Sequence, residues 1–205
     1  MADTLDAALP ARRLRSDARR SIGAILSAAR TVLGERSDAS MEDIAAAAGV
    51  SRQTVYAHFP SRGALIAALL HAVGTETIAA MDAAGLDTAP PAQALRRYLD
   101  IGWQLIGGNA FLLGPALAQS PHPGHAAAHL AGIARLEQII RRGQHTGDFD
   151  RTLPATWLTA AVAGLMRSAA EQFAAGRLTA SDAAPMVLES ALRLCGAGRQ
   201  SGGRN

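Results

Sequence analysis

The sequence has no lysine. All 20 cationic side chains are arginine against 17 acids, so a pI near 9.9 goes with a formal charge of only +3. Net charge alone therefore does not name a polyanionic partner. One cysteine, Cys195, excludes an internal disulfide, and the first ten residues carry two Asp and no long apolar run; a reducing cytoplasm is the expectation. Strand signals are also scarce: aromatics are 4% of the chain, and β-branched residues never alternate with polar ones over a useful length. Residues 101 to 134 contain no Asp, Glu, Lys or Arg, yet Gly107, Gly108, Asn109, Gly114, Pro115, Ser120, Pro121 and Pro123 interrupt them. No uninterrupted apolar run of roughly 20 residues remains to span a bilayer. The expectation is burial inside protein, with no membrane partner.

Chemistry is equally sparse. No glycine-rich phosphate cradle opens a helix, and no nucleophile, base and orienter stand in a recognisable set. No catalytic residue, cofactor or metal is assigned. A helical enzyme built on the histidines or Tyr98 stands as one alternative, and an interaction protein without chemistry of its own as another.

What is present is helix-forming. Hydrophobic residues make up 49% and charged ones 18%, the balance of a folded globular chain rich in Ala, Leu and Arg. The fold class is all-α, with about nine helices. A first helix covers Ser21 to Leu33 and ends at Gly34. Ser40 and Asp43 have capping-box spacing for a second, which stops at Gly49. Ser51 caps a third that Pro60 must end, because proline disfavours helical geometry in Phe59. Ser61 caps a fourth running toward Ala84. The remaining helices span Pro91 to Ile106, Ala110 to Gln119, Ala126 to Gln144, Pro154 to Ala175 and Ser181 to Cys195. The domains expected are a flexible basic arm (1–18), a small helical domain (19–62), a connecting helix (63–85), a larger domain (86–196) and a frayed tail (197–205), with the boundary inside helix four or just after it.

Two short helices joined through "AGVS" have helix-turn-helix spacing. In such a unit the first turn of the second helix reaches base edges in the major groove. Arg52, Gln53 and Thr54 occupy that turn: Arg suits guanine, Gln suits adenine, and the Thr methyl suits that of thymine. Val55 and Phe59, four apart, anchor the helix. Tyr56 and His58 can donate to phosphate oxygens, and Arg62 stands at a helix start that favours anions. From Arg12 to Arg62 there are nine Arg against five acids. The arginine-rich stretch 12–20 reads equally as a groove-contacting arm and as a solvated leader.

"MEDIAAAAGVSRQTVYAHFPSRGAL", with Thr54, Tyr56, His58 and Phe59 in a T-x-Y-x-H-F core, makes residues 19 to 70 resemble the DNA-binding domain of the TetR family of bacterial transcriptional regulators. The close resemblance covers about a quarter of the chain. It implies that Arg52, Gln53 and Thr54 face bases, while Ser40, Tyr56, His58 and Arg62 face phosphates; Ser51 is counted with the phosphate group. Two positions depart from the family pattern: Arg62 stands where Lys is usual, and Gly63 where an acid is common. The resemblance also implies a larger effector-binding and dimerisation domain, and a homodimeric repressor released from a palindromic operator by a small, largely apolar effector.

In that larger domain, helix eight is apolar on more than one face and helix nine likewise, so one side of each is expected to meet a second copy. The interface residues expected are Ala161, Leu165, Val187, Ala191 and Leu194. Trp103, Phe111, Trp157, Met166 and Phe173 are candidates for the effector pocket. His122, His125 and His129 adjoin a proline-rich turn with no Cys or carboxylate nearby, so structural or solvated histidines are expected ahead of an effector contact or a metal site.

Overall fold

The computed structural model describes residues 8–109 and 123–197, with side chains over 18–109 and 126–197. Within them are eight helices and no strand: α1 (Ala8–Glu35), α2 (Met41–Ala47), α3 (Arg52–His58), α4 (Arg62–Ala83), α5 (Pro91–Gly108), α6 (Pro123–Thr146), α7 (Ala155–Ala174) and α8 (Ala180–Leu194). The helix expected over 110–119 lies outside the described residues, as do Phe111, His122 and the side chain of His125.

The start of α1 corrects the expectation of a flexible arm. The helix begins at Ala8, not near Ser21, so the arginine-rich stretch is helical. Ala, Leu and Arg are strong helix formers, and Pro10 falls in the first turn, where the amide it lacks would have no partner.

The chain divides into two compact units, Met1–Leu70 and His71–Asn205, with the division inside α4. That is later in α4 than residue 62, because Leu65, Leu69 and Leu70 are fully buried. By length and composition α4 is apolar enough to cross a membrane, but these leucines, with Val73 and Met81 further on, are buried in protein, as in a core helix.

In the first unit, Ile25, Ala29 and Leu33 of α1 are buried, as are Met41, Ile44 and Ala45 of α2, Val55 of α3, and Phe59. Each large aliphatic side chain buried contributes about 1.5–3 kcal/mol. Short-range signals set the boundaries. The Ser40 hydroxyl accepts from the Asp43 amide at 3.1 Å while the Asp43 carboxylate accepts from the Ser40 amide at 2.8 Å, which satisfies two orphan donors of α2. The helix ends on Gly49 at φ +65°, with the Val50 amide donating back to the Ala45 carbonyl at 3.1 Å. A side chain at that φ is strained, which is why glycine occupies the turn.

The second unit's core joins Leu95, Leu99 and Trp103 of α5, Leu136, Ile139 and Ile140 of α6, Leu158 and Val162 of α7, and Ala183, Val187 and Ala191 of α8. The Trp103 indole donates to the Ala180 carbonyl at 3.1 Å, and its ring meets Phe173 edge-on at 5.9 Å. Arg142 holds the α4–α5 loop by donating to the Leu86 and Ala89 carbonyls, each at 2.7 Å, and to that of Asp87. Cys195 is fully buried, and burial pushes its thiol up to about 11, so it stays protonated and unreactive.

Candidate nucleic-acid interface and ligand cavity

Helix α3 is two turns long, too short to be stable alone. It persists because both ends are fixed and one face is anchored. The Ser51 hydroxyl accepts from the Thr54 amide at 3.1 Å. At the other end Phe59 leaves helical geometry at φ −130°, ψ 92° ahead of Pro60, and its amide bonds the Val55 carbonyl at 2.8 Å. Val55 is fully buried and Phe59 nearly so. The polar residues are thereby turned outward: Arg52, Gln53 and Tyr56 are exposed, and Thr54 and His58 are half-buried.

Several of the expected contact residues already have protein partners. Arg52 Nη1 lies 2.7 Å from Glu42 Oε1, and its guanidinium carbon is 5.3 Å from the Tyr56 ring centroid. The Thr54 and Ser51 hydroxyls are 2.8 Å apart. The Ser40 hydroxyl donates to Asp43 at 2.8 Å, so its hydrogen is engaged inside the capping box. Arg62 is half-buried and donates to the Ser37 carbonyl at 2.6 Å, tying the α1–α2 loop to the start of α4. The Ser61 hydroxyl accepts from the Ala64 amide at 3.1 Å, so α4 is capped in spite of Gly63. Glu42 was missed by sequence reasoning, although it lies next to the Asp43 that was used. Hydrogen bonds from the Ser40 amide and hydroxyl, helped by Arg36 at 3.4 Å, hold the Asp43 carboxyl below its ordinary range.

The second unit contains a cavity of about 370 Å³ between α4, α5, α6 and α7. Its wall includes Thr77, Met81, Tyr98, Leu105, Ile106, His129, Ile133, Leu136, Met166 and Arg167. Of the expected pocket residues, Met166 lines it. Trp103 and Phe173 do not: their rings pack on one another, and the Trp103 indole bonds the start of α8. Trp157 is corrected outright: it is 60% exposed and lies off the cavity. Tyr98, considered only as enzyme chemistry, faces this space, and burial pushes its hydroxyl up to about 12. His129 lines the cavity, and among the described residues no group of His, Cys, Asp or Glu could hold a metal ion.

The interface residues also divide. Val187 and Ala191 are buried in their own unit's core and cannot serve a second copy, a correction that follows from α8 turning this stripe inward. Ala161, Leu165 and Leu194 are half-buried. The large apolar side chains that α7 and α8 leave in solvent are Trp157, 60% exposed, and Met186, 54% exposed.

Residues 25–69 match the family described as bacterial regulatory proteins, tetR family. A curated relative, the HTH-type transcriptional repressor LfrR of Mycolicibacterium smegmatis, is 43% identical over 77 residues, which span 38% of this chain and 41% of that protein's length. The crystal structure of the TetR-like regulator LfrR from Mycobacterium smegmatis in complex with proflavine is similar over 84% of this chain and 94% of that one, at 28% identity and a TM-score of 0.64. The fold is shared as well with the transcriptional regulator FadR from Bacillus subtilis in complex with stearoyl-CoA, at 17% identity and a TM-score of 0.70, over 84% of this chain and 96% of that one.

Proposed function

We infer that this chain is a sequence-specific DNA-binding transcriptional regulator rather than an enzyme, from the match of residues 25–69 to the tetR family of bacterial regulatory proteins and the likeness to the repressor LfrR. One observation carries the reading: Arg52, Gln53 and Tyr56 stand exposed on a two-turn helix whose other face, through Val55 and Phe59, is sunk in the core. A helix held in that way offers donors of fixed position to a major groove. Thr54 completes the base-facing turn, and Tyr56, His58, Arg62 and the exposed serine caps flank it toward phosphates.

The protein acts as a homodimer on a palindromic operator in the cytoplasm, pairing through the apolar side chains that α7 and α8 leave in solvent. A small, largely apolar effector enters the cavity beside Met166 and releases the repressor. A ligand-bound structure supports this part of the reading: the similar regulator LfrR is complexed with proflavine.

Fluorescence anisotropy with DNA from beside the coding region, repeated at several salt concentrations, tests the proposal. A regulator shows a sequence preference on top of a steep salt dependence. Loss of both would favour a DNA-binding-defective interaction protein.

A further inference from the structure

Four polar side chains reach the wall of the cavity in the second unit: Thr77, Tyr98, His129 and Arg167, with no Asp or Glu among the described residues that line it. The uncharged stretch 101–134, which supplies part of that wall, holds no acid at any of its positions. The Thr77 hydroxyl is occupied, donating to the Val73 carbonyl at 2.7 Å. The Tyr98 oxygen lies close to Gly132, 3.6 Å from where a Cβ there would stand, so the absence of a side chain at 132 leaves it uncovered on that side. Arg167 has one acidic neighbour, Glu171, at 3.8 Å with both side chains largely in solvent, a loose pair that a ligand can displace.

Resting on the effector reading above, we propose that this cavity prefers a small apolar acid to a cation of the same shape. The hydrocarbon portion lies against Met81, Ile133, Leu136 and Met166, and the carboxylate meets Arg167, with the Tyr98 hydroxyl as a second donor. A carboxylate gains charge-assisted hydrogen bonds there. An ammonium of the same shape meets the like charge of Arg167, whose one acidic neighbour, Glu171, is exposed to solvent. Burial keeps Tyr98 protonated at neutral pH, so it can donate and cannot act as an anionic partner for a cation.

Calorimetric titration of the full chain with 4-phenylbutanoate, 4-phenylbutanol and 4-phenylbutylammonium, which share one skeleton, decides the matter. The carboxylate binds tightest, and the ammonium at least about tenfold more weakly, a difference expected when Arg167 attracts one head and repels the other. Arg167→Gln brings the carboxylate down to the level of the alcohol without moving the alcohol, and Tyr98→Phe weakens both. An ammonium that binds as well as the carboxylate, no binding by any of the three, or an Arg167→Gln variant that keeps the carboxylate preference would overturn the proposal. The titration uses no DNA. A chain that ignores DNA yet keeps this order of ligands would sink the regulator reading and leave the ligand class standing; the reverse result would do the opposite.

Discussion

Arg52 and Glu42 form an ion pair of 2.7 Å across the turn that joins α2 to α3, with the Tyr56 ring beneath the guanidinium. The side chain best suited to read guanine is therefore held in place by an acid from the preceding helix. An exposed pair of this kind is worth about 0–1 kcal/mol. A bidentate contact to guanine, worth about 1–3 kcal/mol, repays its loss more readily than a stray phosphate does. Glu42→Gln should raise affinity for unrelated DNA more than for the operator and so lower their ratio, read by anisotropy on the two duplexes. Equal gains on both would show that Glu42 does not filter.

Arg52, which opens α3, and Arg62, which opens α4, should separate cleanly. Arg52→Ala should relax preference at one base pair by about 1–3 kcal/mol, while Arg62→Ala weakens all sequences alike and lowers the salt slope by about 1. Because Arg62 also bonds the Ser37 carbonyl, its variant should melt at a lower temperature. Competition binding against single-base operator variants distinguishes the two; a uniform loss from Arg52→Ala would remove it as a reader.

Acid should act on the first unit through Asp43. Its folded-state pKa is lowered from 3.8 by the Ser40 hydrogen bonds and Arg36, so its contribution is present above 3.8 and fades as pH falls through the lower folded value. Asp43→Asn should melt below the wild type near neutrality and converge with it in acid. A difference in melting temperature independent of pH would refute this origin.

Two glycines should respond differently to alanine. At Gly49, φ +65° with nothing within 4 Å of an added Cβ, the cost is backbone strain alone, roughly 1–2 kcal/mol. At Gly143 the added atom would stand 2.2 Å from the Phe149 ring, so Gly143→Ala should cost about 1–3 kcal/mol or more through overpacking. Urea unfolding of both variants measures the difference, and a neutral Gly143→Ala would contradict the packing described.

Trp157 and Val187 should part company under an acidic substitution. With 60% of Trp157 exposed and 5% of Val187, Trp157→Asp should yield a folded monomer by light scattering and circular dichroism, and Val187→Asp should unfold. A Trp157→Asp protein that remains dimeric would move the interface elsewhere.

Local grammar was legible in the sequence and facing was not. The Ser40–Asp43 box, the Gly49 turn and the Pro60 stop act within four residues of themselves, so each declares its helix boundary without reference to the rest of the chain. Helices α7 and α8 have apolar or small side chains on several faces, and nothing local says which stripe turns inward; Leu158 is buried while its neighbour Trp157 is not. The cavity draws its wall from four helices, so a residue such as Tyr98 joins it only through tertiary packing. At the arginine-rich start, density of charge and helix propensity point to different states, and propensity prevails.

The sparse anchoring of α3 has an evolutionary consequence. Val55 is its one fully buried side chain, with Phe59 just beyond, so positions 52, 53, 56 and 57 are almost unconstrained by folding. The operator vocabulary of such a protein can drift one letter at a time, and lineages that share this scaffold can come to address different promoters without passing through an unstable ancestor.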